Sequence, residues 1–416
     1  MFKKATLVVA LAAIGVSAEA QETPTLEQMW EVIQQQKAEI EALKSELDEA
    51  EHKIEETDVR VETTASALDV ISQSGGSQSS AANWTENTSL GGYGELHYNN
   101  LEDSHSDANE SEIDFHRFVL FLGHDFNEKV RFFSEVEIEH SLAGDGKPGE
   151  VELEQAYIEY DYAQNHTIKS GLFLTPVGIL NETHEPDTFF GVERNNVEKN
   201  IIPTTWWEAG VNLQGYLVDG LRYDLGVTSG LNVDAFEGKY KVRDGRQKVA
   251  EANANNAAYT GRIKYTAIPG LELATTLQYQ SDLLQGELEQ GAAATLFEAH
   301  AIYEAGGFGI RALYAAWDID GYYEEATGKL GADKQEGWYV EPSYKFFDNF
   351  GVFARYSEWD NQAGTGLVDS GYSQIDVGVN YWLTPQVVFK ADYQDQTAPD
   401  AKAEMDGLNL GVGYSF

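Results

Sequence analysis

Acid, base and imidazole side chains are plentiful in this chain, with Asp+Glu 69, Lys+Arg 28 and His 9, so the first question is whether any are spaced for chemistry. His97, His116, His124, His140, His166, His184 and His300 are scattered, with no HExxH or comparable zinc spacing. Cysteine is absent, which removes disulfides, thiolate nucleophiles and thiolate metal ligands. The stretch DIDG at 318–321 opens like a calcium loop, but the twelfth position from Asp318 is Lys329, where a bidentate Glu is required. Ser170 and His166 form the nearest serine–histidine pair and lack a third partner. No enzyme activity, cofactor or metal is therefore expected. What remains is the other use of many charged groups, a wet wall along which polar or charged solutes move.

Such a wall needs strands that alternate. In RFFSEVEIE, Arg131, Phe133, Glu135, Glu137 and Glu139 alternate with Phe132, Ser134, Val136 and Ile138; GLRYDLGVTS repeats the pattern with Arg222 and Asp224 against Leu221, Tyr223, Leu225 and Val227. Each segment reads as a strand with one wet and one apolar face. Short turn signals at 126–129, 163–166, 218–220, 268–270, 305–307, 347–349 and 383–386 alternate with longer acidic connections, the longest near 176–205. Seven short turns and eight long loops imply 16 strands, the pattern of an antiparallel transmembrane β-barrel. A soluble β-sandwich also alternates, but here the apolar stripes are long, numerous and capped by tyrosines such as Tyr160, Tyr216, Tyr279, Tyr344 and Tyr381, as membrane interfaces require. The ending LNLGVGYSF, apolar at Leu408, Leu410, Val412, Tyr414 and Phe416, is expected to be the last strand.

The 416 residues divide into four expected parts. Residues 1–20 read as a signal peptide, with Lys3 and Lys4, an apolar run and an Ala18-x-Ala20 cleavage pattern. Residues 21–71 carry heptads, with Leu26, Ile33, Ile40, Leu47, Ile54, Val61 and Leu68 at a, which predicts an α-helical coiled coil in the periplasm. Residues 72–83 form a Gly/Ser linker, and 84–416 the barrel. No stretch of 18 apolar residues follows the signal, and mean hydropathy is -0.40, so a membrane crossing must use strands. The net charge of -41 opposes nucleic-acid binding.

One region carries a family resemblance. The stretch 168–215 has Gly171-x-Phe173, a Pro176-x-Gly178 step into a long loop, and Phe190, Glu193 and Arg194 in a Phe-x-x-Glu-Arg element. It resembles the phosphate-selective porin O and P family of bacterial outer-membrane porins. The resemblance implies a homotrimer in outer-membrane lipid and lipopolysaccharide, each barrel holding an inward constriction loop. The family's arginine ladders and lysine cluster are not matched by so acidic a chain, so phosphate selectivity is not expected.

Alternation then gives the pore-lining candidates. Arg117, Arg131, Glu135, Glu137, Glu159 and Lys169 come early; Arg222, Arg262, Lys264, Arg311, Lys345, Arg355 and Lys390 come late. Acids gather early and bases late, which predicts a field across the pore. In the constriction loop the candidates are Glu182, Glu185, Asp187, Glu193 and Arg194, the last two also readable as a pinning ion pair. The expected function is passive diffusion of small polar or charged solutes. The alternative is a structural tether, the coiled coil reaching peptidoglycan and the barrel serving as its anchor.

Overall fold

The computed structural model describes residues 30, 37, 86–105, 109–233, 241–287, 291–320, 333–361, 370–399 and 402–416. The expected signal, heptads and linker lie outside those residues, Trp30 and Lys37 apart. Sixteen strands follow in order: β1 (Thr88–Asp103), β2 (Glu110–Asn127), β3 (Val130–Glu139), β4 (Val151–Ala163), β5 (His166–Leu174), β6 (Trp207–Val218), β7 (Leu221–Thr228), β8 (Ala258–Tyr265), β9 (Leu271–Gln280), β10 (Ala294–Ala305), β11 (Phe308–Ile319), β12 (Lys334–Phe347), β13 (Phe350–Asp360), β14 (Tyr372–Thr384), β15 (Val387–Thr397) and β16 (Met405–Ser415). Each pairs antiparallel with its sequence neighbours, and β16 returns to β1 to close the barrel, with Tyr93 opposite Ser415 and Asp103 opposite Met405. Phe416 completes the seam by exchanging backbone hydrogen bonds with Gly92 at 3.0 and 2.9 Å. The expected strand number and the alternation of short turns with long loops are both found.

Alternation sorts the side chains as expected. Along β16, Leu408 and Leu410 are 41% and 40% exposed on the outside, while Asn409 between them is buried at 1%. A closed sheet leaves no unpaired edge, so the backbone is satisfied in hydrocarbon and the outer apolar face meets lipid. Tyr160, Tyr216 and Tyr381 toward the turns and Tyr259 and Tyr279 toward the loops are exposed, which places aromatic residues near both ends of the wall.

Two bulges break the pattern on one side. The β1–β2 register shifts between Glu95 and His97, so that Arg117 pairs with Glu95 but Asp114 pairs with His97. The β3–β4 register shifts between Glu135 and Val136, whose partners are Gln155 and Leu153. Glu154 is the residue left over, and both it and Gln155 are buried.

The connection between β5 and β6 turns into the barrel. Gly178 takes a left-handed φ of 70°, and a Cβ there would stand 2.7 Å from the Glu198 carboxylate. The turn frees the N–H groups of Ile179 and Leu180 to donate to Glu198 Oε2 at 2.9 and 2.6 Å. A one-turn helix, α1 (Asn196–Asn200), is capped by Asn195, whose Oδ1 accepts from Glu198 N at 2.9 Å. Val177, Ile179, Leu180, Val197, Ile201, Ile202 and Trp206 pack against inward residues of β10 to β13, including Leu296, Leu313, Trp317, Tyr339 and Trp359. This apolar cluster fills one side of the interior.

Candidate functional site

Residues 175–206 touch the wall on opposite sides of the lumen. Glu193 Oε1 lies 2.8 Å from His97 Nδ1 on β1 and accepts from Asn99 Nδ2 at 3.3 Å. Arg117 on β2 donates to His184 O at 3.1 Å, and Arg262 on β8 holds Glu182. From the far side Arg311 reaches Thr188 O at 2.9 Å, Trp317 reaches Ile201 O at 2.9 Å and Tyr339 donates to Glu198 at 2.8 Å. Gln374 on β14 accepts from Asn196 at 2.8 Å, Lys390 on β15 donates to Gly191 O at 2.7 Å, and Ser415 on β16 donates to Asp187 at 2.7 Å.

The loop candidates therefore take different jobs. Partial burial opposes ionisation of Glu182, but the Arg262 guanidinium overcomes it and draws the carboxyl down to about 2. Glu185 accepts from the Thr188 hydroxyl at 2.7 Å through its carbonyl. Glu193 and Arg194 part company: Arg194 donates to Thr205 Oγ1 at 2.8 Å while Glu193 faces His97. Burial raises the Glu198 carboxyl, and its backbone, Tyr339 and Asn195 donors hold it in place.

The wall candidates all face inward, and most are engaged with neighbours. Arg117 donates to Glu95 at 2.5 Å and Arg355 to Asp376 and Glu341 at 3.0 and 3.2 Å, all of them buried. Arg131 reaches Asp161 at 2.6 Å and Glu159 at 3.3 Å; Lys169 stands 3.8 Å from Glu159. Arg222 bonds Asp224 at 2.9 Å, and Lys264 reaches Glu272 at 2.9 Å. Lys345, exposed at the turn end, lies over the Trp382 ring at 4.3 Å. Glu135 accepts from Gln155 at 2.6 Å, and Glu137, two residues on, is buried on the same face.

Two sets of residues were missed by spacing alone. The histidines expected to be scattered are partly gathered: His97 stacks on His116 with centroids 4.7 Å apart, and His116 meets His140 edge-on at 5.8 Å. Asp114 Oδ2 lies 2.8 Å from His140 Nδ1 and 3.2 Å from His116 Nδ1. Antiparallel pairing and the β1–β2 bulge bring these positions together. The second set is the basic run KYKVRDGRQK at 239–248, conspicuous in so acidic a chain. Arg243 donates to Thr204 O at 2.7 Å and Arg246 to Thr205 O at 2.5 Å, while Lys248 bridges Glu150 and Glu152. Burial, with Arg246 and Arg194 nearby, pulls the Arg243 guanidinium down to about 9.

Two cavities flank the inward loop. On the loop side, about 220 Å³ is lined by His116, Glu139, His140, Glu152, Glu154 and Glu193 facing Arg194, Lys199, Arg243, Arg246 and Lys248. The expected cross-field is present in kind, but the bases opposite the early acids come from the β7–β8 connection and the inward loop rather than the late strands. On the turn side, about 450 Å³ is lined by Glu182, Lys264, Glu272, Glu304 and Arg311 among others.

A closed barrel with lipid-facing apolar side chains, a charged interior and a long connection folded inside is the architecture of an outer-membrane channel. The chain belongs to the Gram-negative porin family, whose family model matches residues 63–401. A protein of Aquifex aeolicus (strain VF5), itself described as uncharacterized, is 30% identical over 358 residues, covering 79% of this chain and 80% of that one. Among solved structures, an anion-selective porin from Comamonas acidovorans superposes with a TM-score of 0.56 at 13% identity, covering 79% of this chain and 99% of that chain. OmpF of Salmonella typhi, solved in complex with daunomycin, gives 0.55 at 16%, covering 79% and 98%. OprB of Pseudomonas putida gives 0.55 at 12%, covering 80% and 95%. At these identities the likeness is one of fold.

Proposed function

We propose that this porin is a passive diffusion channel for small polar or charged solutes, with residues 175–206 as its constriction. The observation that carries the reading is the loop's position: its side chains and carbonyls contact β1, β2, β8, β11, β12, β14, β15 and β16 from within. A connection fixed at that level narrows whatever route the barrel offers. The acids and histidines of β1 to β4, facing Arg194, Lys199, Arg243, Arg246 and Lys248, orient dipolar solutes as they pass. The likeness of 168–215 to the phosphate-selective porin O and P family supports the loop's course and not its selectivity, because carboxylates share the cavity with the bases.

Small-ion preference is proposed as weakly cationic. Reversal potential of the purified protein across a KCl gradient in a planar bilayer tests this. Stepwise current with a modest cation bias is expected; a sealed bilayer at high protein concentration ends the channel reading, and strong anion preference ends the charge reading alone. The heptads of 21–71 support a further proposal, that a periplasmic coiled coil holds a homotrimer together and spaces it from peptidoglycan. Deleting 26–71 is expected to preserve current per barrel while lowering the temperature at which trimers dissociate on gels.

A further inference from the structure

We propose that Glu135, Glu154 and His184 form a buried site for one divalent first-row transition metal ion, joining the inward loop to the β3–β4 wall. His184 Nε2 stands 3.6 Å from Glu135 Oε1 and 3.6 Å from Glu154 Oε2, and the three atoms all lie within 4.8 Å of one another. Ligands about 2.1 Å from a tetrahedral zinc ion are separated by about 3.4 Å, so the spacing suits a metal better than a direct hydrogen bond. The residues are 1%, 2% and 2% exposed, and none of the three facing atoms has a hydrogen-bond partner. A buried polar atom left in that state costs about 1–3 kcal/mol.

The atoms behind the ligands are arranged as a metal requires. His184 Nδ1 donates to Asn181 O at 3.2 Å, which aims Nε2 at the carboxylates. Gln155 Nε2 donates to Glu135 Oε2 at 2.6 Å and fixes that carboxylate's plane. Glu154 reaches the site through the β3–β4 bulge and also lines the 220 Å³ loop-side cavity, which gives an ion its approach. Among the described residues no Lys or Arg lies within salt-bridge distance of Glu135 or Glu154, and the nearest guanidiniums, Arg117 and Arg194, act on Glu154 from farther off. One imidazole nitrogen and two carboxylate oxygens suit zinc, manganese or cobalt rather than the all-oxygen shells of calcium or magnesium.

The rival occupant is a proton. Burial works against a charged His184 ring, but the two carboxylates outweigh it and raise its pKa to about 10, so a metal must displace that proton.

The test uses the full-length protein, refolded or extracted in detergent, stripped with EDTA and titrated with zinc chloride. One zinc ion per chain is expected. Glu154→Gln and His184→Gln should weaken binding by about 100-fold, whereas His140→Asn, in the neighbouring cluster, leaves it unchanged. Should the variants fail to fold, X-ray absorption on the zinc-loaded wild type decides: one nitrogen and two or more oxygens support the site, while two nitrogens place the ion at His116 and His140 and overturn it. Absence of stoichiometric zinc, with a doubly protonated His184 by 15N NMR, also overturns it. Binding is read without current, so its failure leaves the channel reading intact, and a closed channel leaves the metal site intact.

Discussion

The inward loop has two unlike sides. Toward β10 to β13 it is glued by an apolar cluster containing Trp206, Trp317, Tyr339 and Trp359, with Trp206 wholly buried. Toward β1 to β4 it meets carboxylates, histidines and Arg117, and the contacts there are hydrogen bonds and ion pairs. The first side is strong and indifferent to ions; the second is charged, bordered by a cavity and open to titration and ligands. Holding a loop in a lumen and giving that lumen a chemical character are thus assigned to opposite faces of one segment.

The contrast can be broken most severely by Trp206→Ala. Removing so large a buried side chain costs about 3–5 kcal/mol, so the loop should loosen. Protease cleavage within 175–206 is expected in the folded barrel, with a larger and noisier single-channel current; an uncut, unchanged channel would show that the polar side alone holds the loop.

Next comes Arg262→Gln, which leaves Asp224 and Glu182 without their shared guanidinium. Breaking a buried pair this way costs about 3–5 kcal/mol before relaxation, and partial exposure of Glu182 lowers the figure. Urea midpoints of the refolding barrel should fall, and a second-site Glu182→Gln should recover part of the loss.

A smaller effect is expected from Arg243→Glu combined with Arg246→Glu. Cation preference in the KCl gradient should rise severalfold while the unfolding free energy falls by no more than about 1–3 kcal/mol through lost carbonyl contacts. Unchanged reversal potential would remove these residues from the conduction route. The least effect is expected from Lys241→Ala, whose partner Asp244 lies 3.7 Å away at an exposed site; stability should move by less than about 0.5 kcal/mol.

Much of the fold was legible because a period of two is a local property. Val136 is exposed on the outer face while Glu135 and Glu137 on either side of it are buried, as the alternation in RFFSEVEIE requires. The site was less legible because bulges are not written in spacing. Glu154 and His116 occupy the interior through register shifts, and His97, His116 and His140 meet through strand pairing across dozens of residues. One available signal went unused: Val177, Ile179, Leu180, Ile201, Ile202, Trp206 and Trp207 are too apolar for a connection left in water. The basic run at 239–248 was a second such signal, since bases concentrated in an acidic chain mark a place where acids need a counterpart.

The β1–β16 seam has a kinetic consequence. Fifteen of the sixteen strand interfaces join neighbours along the chain, and each can zip locally from a short turn or the connection beside it. The remaining one brings Tyr93 to Ser415 and carries almost the whole barrel as its loop. Its closure entropy grows only logarithmically with that length, but until it forms, two strand edges lie bare at once. Assembly of this molecule therefore converges on a single late union of first strand and last, and slow folding mutants should gather along that line.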